Sequence, residues 1–322
     1  MSRSWGFSVG NVRAKEASML RREDIDQLAA LRSQGELAAA LREKGFGSGD
    51  KGDGADVDRL IKDETAAVWE YAKTTAADIT VFYPLMLDND YHNLKTAVKG
   101  ILSGREYRHL MLGPTVTDTD TIIKAVEQKR FSDLPEYMAD DAKAAYLTLA
   151  ETADAQLFDG ILDKSRMKAS MEMSRSVDLV HRYIACKVFF ENVKTALRAA
   201  KMGKNRSFLE KTIYEDDGTK GLIDAAESGE AAVLSWLGRS ELGGEAAVKC
   251  YKESPSRFEK YADDRLMEAA KAAKTVTIGP EVIIGYIIAR LAVIRAVSMV
   301  ATGIRTGTDP DVIRERLREL YD

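Results

Sequence analysis

Chemistry in this chain would have to come from three histidines, a few adjacent carboxylates and one concentration of cations. His92, His109 and His181 lie in no HExxH pattern, and the chain contains no Cys-His cluster and no Cys-x-x-Cys, so the spacings that hold zinc are missing. His181 shares a helical face with Ile184 and Val188 and is expected to be a packed core histidine. His92 is expected in the first turn of a helix, half exposed. The pairs Asp140-Asp141, Asp216-Asp217 and Asp263-Asp264 could chelate magnesium only with a further carboxylate one turn on. Ala144-Ala145, Thr219-Lys220 and Met267 follow instead, with Glu268 as a loose substitute. Adjacent helical residues point about 100° apart, so these acids read as solvated helix surface. There is no GxSxG, and hence no nucleophile elbow. Gly45–Gly54 carries five glycines but lacks the GxxxxGK[ST] of a phosphate cradle. Counted from Asp50, it places Gly52 and Gly54 where an EF-hand needs acids; a surface loop is expected there.

The cations are more concentrated. Lys194, Arg198, Lys201, Lys204, Arg206 and Lys211 fall within eighteen residues, with Glu210 among them and Glu191 just before. One reading is a docking patch for an acidic partner or anionic lipid heads. The other is that cations gather where the helix dipole favours them, at a C-terminus. Arg305, at the end of a later helix, is a further candidate contact. The net charge of −4 and the pI of about 5.7 are the wrong sign for a general nucleic-acid binder.

These side chains are positioned by helices. With 45% apolar and 30% charged residues and only six prolines, the chain has enough apolar material for a core and a helix-favouring composition. No stretch alternates convincingly with period two, so the predicted class is all-α. Helices are expected over 12–20, from Arg22, over 36–42 and over 57–73. A break at Pro84 should precede a long helix over 88–102. Further helices are expected over 119–128, from Glu136 through Asp154 to Phe158, over 161–173, and over 177–202. The last units are 207–214, 231–237, 245–251, 255–274, 281–302 and 310–320. The helix over 177–202 carries the plainest stripe: Leu179, Tyr183, Cys186, Phe190, Val193, Leu197 and Ala200 follow steps of three and four. Val282–Ala301 is the strongest transmembrane candidate, but Arg290 and Arg295 interrupt it, and burial between two layers is the expectation. No secretory signal is visible. Cys186 and Cys250 lie inside helical patterns and suggest a reducing compartment rather than a disulfide framework.

One segment recurs. Asn93-Leu94-Lys95-Thr96-Ala97 is echoed by Asn192-Val193-Lys194-Thr195-Ala196 and, more faintly, by Val293-Ile294-Arg295-Ala296. The separations, 192 − 93 = 99 and 293 − 192 = 101, suggest one helical unit used three times, over 11–104, 105–204 and 205–305, with a helical tail over 306–322. In that reading Asn93, Lys95, Asn192, Lys194, Ile294 and Arg295 are structural positions of the repeat.

Several ordered motifs resemble a known family. They are Asn11-Val12-Arg13-Ala14-Lys15-Glu16, Leu20-Arg21-Arg22-Glu23-Asp24, Glu36-Leu37 with Leu41, Gly45-Phe46-Gly47 and Asp90-Tyr91-His92-Asn93-Leu94-Lys95. Near the end come Gly279-Pro280-Glu281, Tyr286 to Arg290, Ile294-Arg295 and Pro310 to Arg318. Together they are similar, over nearly the whole length, to the C subunit of V-type or A/V-type ATPases and ATP synthases, known as the d subunit in eukaryotic enzymes. Leu291 departs from the pattern, where an acid is expected more often. The resemblance implies three similar helical units around a pseudo-threefold axis, like a funnel. It also implies a non-catalytic subunit without cofactor or metal, one copy per rotary complex, peripheral on the cytoplasmic face of the membrane. Its implied partners are the central-stalk subunits D and F and the proteolipid rotor ring, between which it transmits torque. From the residues alone, a generic helical scaffold and an all-α enzyme with a dispersed carboxylate site are the other readings.

Overall fold

The computed structural model describes residues 5–47 and 56–322. Most of the glycine-rich loop lies outside the described residues. Every regular element among them is helical, and no strand occurs; the chain is all-α. It divides into two compact units, one formed by residues up to Ile79 together with Lys249–Asp322, the other by Thr80–Val248.

The first unit opens with α1 (Trp5–Glu16), α2 (Arg22–Ala29), α3 (Gln34–Glu43) and α4 (Val57–Thr75). α1 starts earlier than expected and ends at Glu16, because Ser18 turns back: its N–H and its Oγ both donate to the Lys15 carbonyl, at 3.1 and 3.0 Å. A side chain that competes for a backbone carbonyl favours a helix end over a helix interior. α3 is capped by Ser33, whose Oγ accepts from the Glu36 N–H at 3.1 Å.

The second unit contains α5 (Tyr83–Ser103), α6 (Thr119–Glu127), α7 (Glu136–Thr152), α8 (Ala155–Ser174) and α9 (Asp178–Lys201). It continues with α10 (Arg206–Thr212), α11 (Leu222–Glu227), α12 (Glu230–Arg239) and α13 (Gly244–Glu253), which runs across the boundary. Two expectations change here. The break at Pro84 comes just before it: a single 3-10 turn over Ile79–Phe82 leads into one helix with Pro84 in its first turn, where a missing N–H costs nothing. His92 is therefore mid-helix. The helix expected to run from Glu136 past Asp154 divides at Ala153, which is left-handed at φ 56°, and Asp154 caps the next one by accepting from the Leu157 N–H at 2.9 Å. α7 and α8 then form a hairpin against α5. The short α11, bounded by Gly221 and Ser228, is an element that periodicity missed; six residues give too few turns to show a face.

The chain returns to the first unit with α14 (Pro255–Lys271), α15 (Pro280–Arg305) and α16 (Pro310–Arg316). α15 is the hub, touching α1, α2, α3, α4, α14 and α16. It is long and apolar enough to cross a membrane, yet 72% of its most apolar window is buried inside the protein. The final helix ends at Arg316, short of the expected Leu320. The last residues run non-helically beside α14, where Asp264 accepts from the Glu319 N–H at 2.6 Å, Arg318 meets Asp263 at 2.8 Å and Lys260 donates to the Leu317 carbonyl. Those bonds, with burial of Leu317, Leu320 and Tyr321, replace the missing helical ones.

Candidate partner-contact surface

The recurring asparagines do the same physical job twice. On α5 Asn93, fully buried, donates from Nδ2 to the Leu112 carbonyl at 2.9 Å and accepts the Leu112 N–H on Oδ1 at 2.8 Å. On α9 Asn192, also fully buried, donates to the Tyr214 carbonyl at 2.6 Å and accepts the Tyr214 N–H at 3.0 Å. Each amide thus clamps the segment that follows its own helix. Only an amide side chain offers a donor and an acceptor side by side for one residue's N–H and C=O. Around Asn93 the grip is wider: Asn89 donates to the Pro114 carbonyl, and Asp90 accepts the N–H groups of Val116 and Thr117, each at 2.8 Å. Burial pushes the Asp90 carboxyl above its ordinary value, partly offset by those same hydrogen bonds. In the third copy of the motif Val293 takes the asparagine's place, buried and without a clamp.

At the next repeat position, Lys95 meets Asp163 at 2.6 Å, whereas Lys194 and Arg295 have no carboxylate within salt-bridge distance among the described residues. Ile294 is buried.

The basic stretch divides in the same way. Arg206 is held by three carboxylates, Glu210, Asp224 and Glu227, at 2.8–2.9 Å, which raise its guanidinium. Lys201 pairs with Glu230 at 3.1 Å, and Arg305, in the other unit, makes two contacts of 2.8 Å to Asp58. Lys204 lies 4.6 Å over the Phe208 ring. Arg198 donates to the Lys194 carbonyl at 3.4 Å and is exposed. Within this stretch Lys194, Arg198, Lys204 and Lys211 have no carboxylate within salt-bridge distance among the described residues. Arg198 lines a cleft of about 270 Å³ between α8, α9 and α10.

Several of the other candidate chemical groups are spent on structure. Asp216 turns inward onto the Gly218 and Thr219 N–H groups, both at 3.0 Å. Asp263 and Asp264 hold the C-terminal segment. Asp141 is half-buried and Asp140 exposed on α7. His181 is half-buried and shares a 2.9 Å hydrogen bond with Ser174; His92 contacts the Leu110 carbonyl at 3.1 Å, and His109 is exposed. Among the described residues no cluster of three or more His, Cys, Asp or Glu could hold a metal. Cys186 is buried, Cys250 half-buried, and neither is in a disulfide.

Two ion-pair sites, each built on one buried charge, were not singled out by sequence. Arg290 on α15 pairs with Glu64 on α4, whose carboxylate is almost fully buried. Arg166 on α8 bridges Asp88, at 3.0 Å, and Glu191, at 2.5 Å, while Lys187 meets the same Asp88. Burial works against the Arg166 charge, yet Glu191 and Asp88 raise it above its ordinary value. The available signal was a charge inside an apolar stripe: Glu64 lies in step with Leu60 and Val68, and Arg166 beside Leu162 and Ala169.

Comparison with known proteins adds an independent line. The family described as "ATP synthase (C/AC39) subunit" matches residues 8–316. The C subunit of the V-type sodium ATPase of Enterococcus hirae is 19% identical over 327 aligned positions, covering 97% of each chain. The C subunit of the V-type ATP synthase of Thermus thermophilus is 22% identical in one strain, covering 89% of this chain and 90% of that one. In a second strain of the same species it is 23% identical, covering 77% and 79%.

Proposed function

This chain belongs to the ATP synthase (C/AC39) subunit family, a non-catalytic component of a V-type rotary ATPase or ATP synthase, and from that premise we propose that it is the adaptor of the central rotor. In this reading it receives the central stalk, subunits D and F, on one side and seats on the membrane proteolipid ring on the other. It carries torque between them during ion transport. It is present once per complex, peripheral on the cytoplasmic face, and its three helical repeats stand around a pseudo-threefold axis as a funnel.

The observation that carries the proposal is the family match across 8–316, nearly the whole chain. The physics of the two units supports it. A torque coupler must not yield, and close-packed helices have little slack. Here the helices are further cross-tied by Glu64–Arg290 within one unit and by the Arg166 network within the other. Lys194, Arg198 and Lys204 supply cationic charge for contact with an acidic surface, of the reversible kind that rim charges give.

The test is reconstitution of the rotary complex from its own subunits with this chain present or omitted. The adaptor reading expects the stalk and ring to co-purify only when the chain is included. Stable association of stalk with ring in its absence would refute it.

A further inference from the structure

Along the exposed side of α15, where α16 packs against it, runs a groove of about 410 Å³. It is lined by Met299 and Ile313, by the hydroxyl residues Ser298, Thr302, Thr306 and Thr308, and by Arg295 and Arg316. No carboxylate lines it, in a chain with 51 acidic residues and a net charge of −4. The neighbouring arginines show how unusual that is. Arg305 is neutralised by Asp58 and Arg314 by Asp311 at 2.7 Å. Arg295 and Arg316 are exposed and have no carboxylate within salt-bridge distance among the described residues.

The hydroxyls of Thr302 and Thr306 are already committed as donors. Thr302 gives its hydrogen to the Ser298 carbonyl at 2.9 Å, and Thr306 gives its own to the Thr302 carbonyl at 3.0 Å. The groove therefore presents the apolar Met299 and Ile313, the Thr302 and Thr306 hydroxyls already committed as donors, the exposed Ser298 hydroxyl, and two guanidinium forks that can only donate. Its close walls follow from α16 pressing on α15: a Cβ at Gly303 would lie 2.5 Å from the Ile313 side chain.

We propose that this groove seats an amphipathic helix of another protein of the rotary complex, its apolar residues on Met299 and Ile313 and its carboxylates on Arg295 and Arg316. The proposal rests on the adaptor reading for the existence of a protein partner and goes beyond it by naming the site and the partner's chemistry. A helix fits because the groove runs from Arg295 to Thr306, about three turns of α15, and helix-in-groove recognition needs an apolar floor with charged edges. Carboxylates fit because guanidinium pairs them in a bidentate fork.

The experiment uses the full chain in the complex reconstituted from its own subunits. A photo-crosslinker is placed by Met299→p-benzoylphenylalanine, and a second chain carries Arg295→Glu with Arg316→Glu. The crosslink is expected in a helical, Asp- or Glu-bearing segment of another protein of the complex, and the charge reversal is expected to weaken assembly about tenfold or more at low salt. Lysine replacements of the acids in the crosslinked segment should restore it. Both arginines are exposed, so the thermal midpoint should not move; if it does, Arg295→Gln with Arg316→Gln replaces the reversal. Crosslinks to lipid, to a basic segment or to nothing would overturn the groove proposal, as would assembly indifferent to the substitutions. If the unsubstituted chain fails to join the complex at all, the adaptor reading falls, and the groove proposal with it. That outcome is distinct from normal assembly with no crosslink at Met299.

Discussion

At the scale of single residues, the decisive groups are buried polar ones. Removing one member of Glu64–Arg290 leaves the other charge stranded in the first unit's core, and we expect Arg290→Met alone to cost about 3–5 kcal/mol in urea unfolding. The double change Glu64→Leu with Arg290→Met should recover most of that loss, since apolar replacement of a whole buried pair is often neutral. A double variant as unstable as the single one would show that the pair acts through something other than mutual charge compensation. Asn93→Ala and Asn192→Ala should each cost about 1–3 kcal/mol, the range for leaving buried partners unsatisfied, and with similar size because the two clamps are alike. Two carboxyls should respond to pH with opposite sign. Asp24 is held below its ordinary value, chiefly by the hydrogen bond from Lys44 at 2.5 Å. It contributes stability that is present above the unfolded value of about 3.9 and lost as pH falls through the lowered one. Burial raises Asp90, so its ionisation removes stability as pH rises from the ordinary value through the raised one. Carbon-detected NMR titration should place the Asp24 midpoint below that of Asp90, and Lys44→Met should move the Asp24 midpoint upward.

At the scale of elements, Ala153 gives the clearest test. It sits at φ 56°, a conformation in which an alanine side chain is disfavoured and glycine is not. Ala153→Gly should therefore raise stability by up to about 1 kcal/mol, visible as a higher urea midpoint with unchanged slope; a lower midpoint would mean the α7–α8 turn is held by contacts of the alanine methyl. The same turn shows how far the sequence carries. Long elements with a strong stripe, such as α9 and α15, are legible within a few residues because periodicity, glycine stops and proline starts agree. The α7–α8 division was not, because Leu157 and Phe158 continue an apolar pattern while the cap that stops it is one aspartate. The end of α16 was not legible either, because the bonds that replace its last turn come from Asp263, Asp264 and Lys260, more than fifty residues away. The contact surface divides similarly. The cluster of cations was visible in sequence, but which of them are already neutralised depends on Asp58, Asp224, Glu227 and Glu230, whose proximity is a product of folding.

At the scale of the molecule, the chain is two compact units, and one of them is assembled from both ends of the sequence. Its central helix, α15, is the most apolar segment in the protein and comes near the end. Synthesis proceeds from the N-terminus, so α1 to α4 leave the ribosome long before the helix they enclose exists. The second unit, by contrast, is a continuous stretch and can close around its own core while translation continues. Nascent chains stalled once Val248 has emerged from the ribosome, but before α15 has, should resist protease within 80–248 while the N-terminal helices are still cut. Protection of those helices should arrive only once α15 has emerged. Until then the apolar faces of α2 and α4 are open to chaperones, and the cell has an interval in which this protein can be discarded before it is whole.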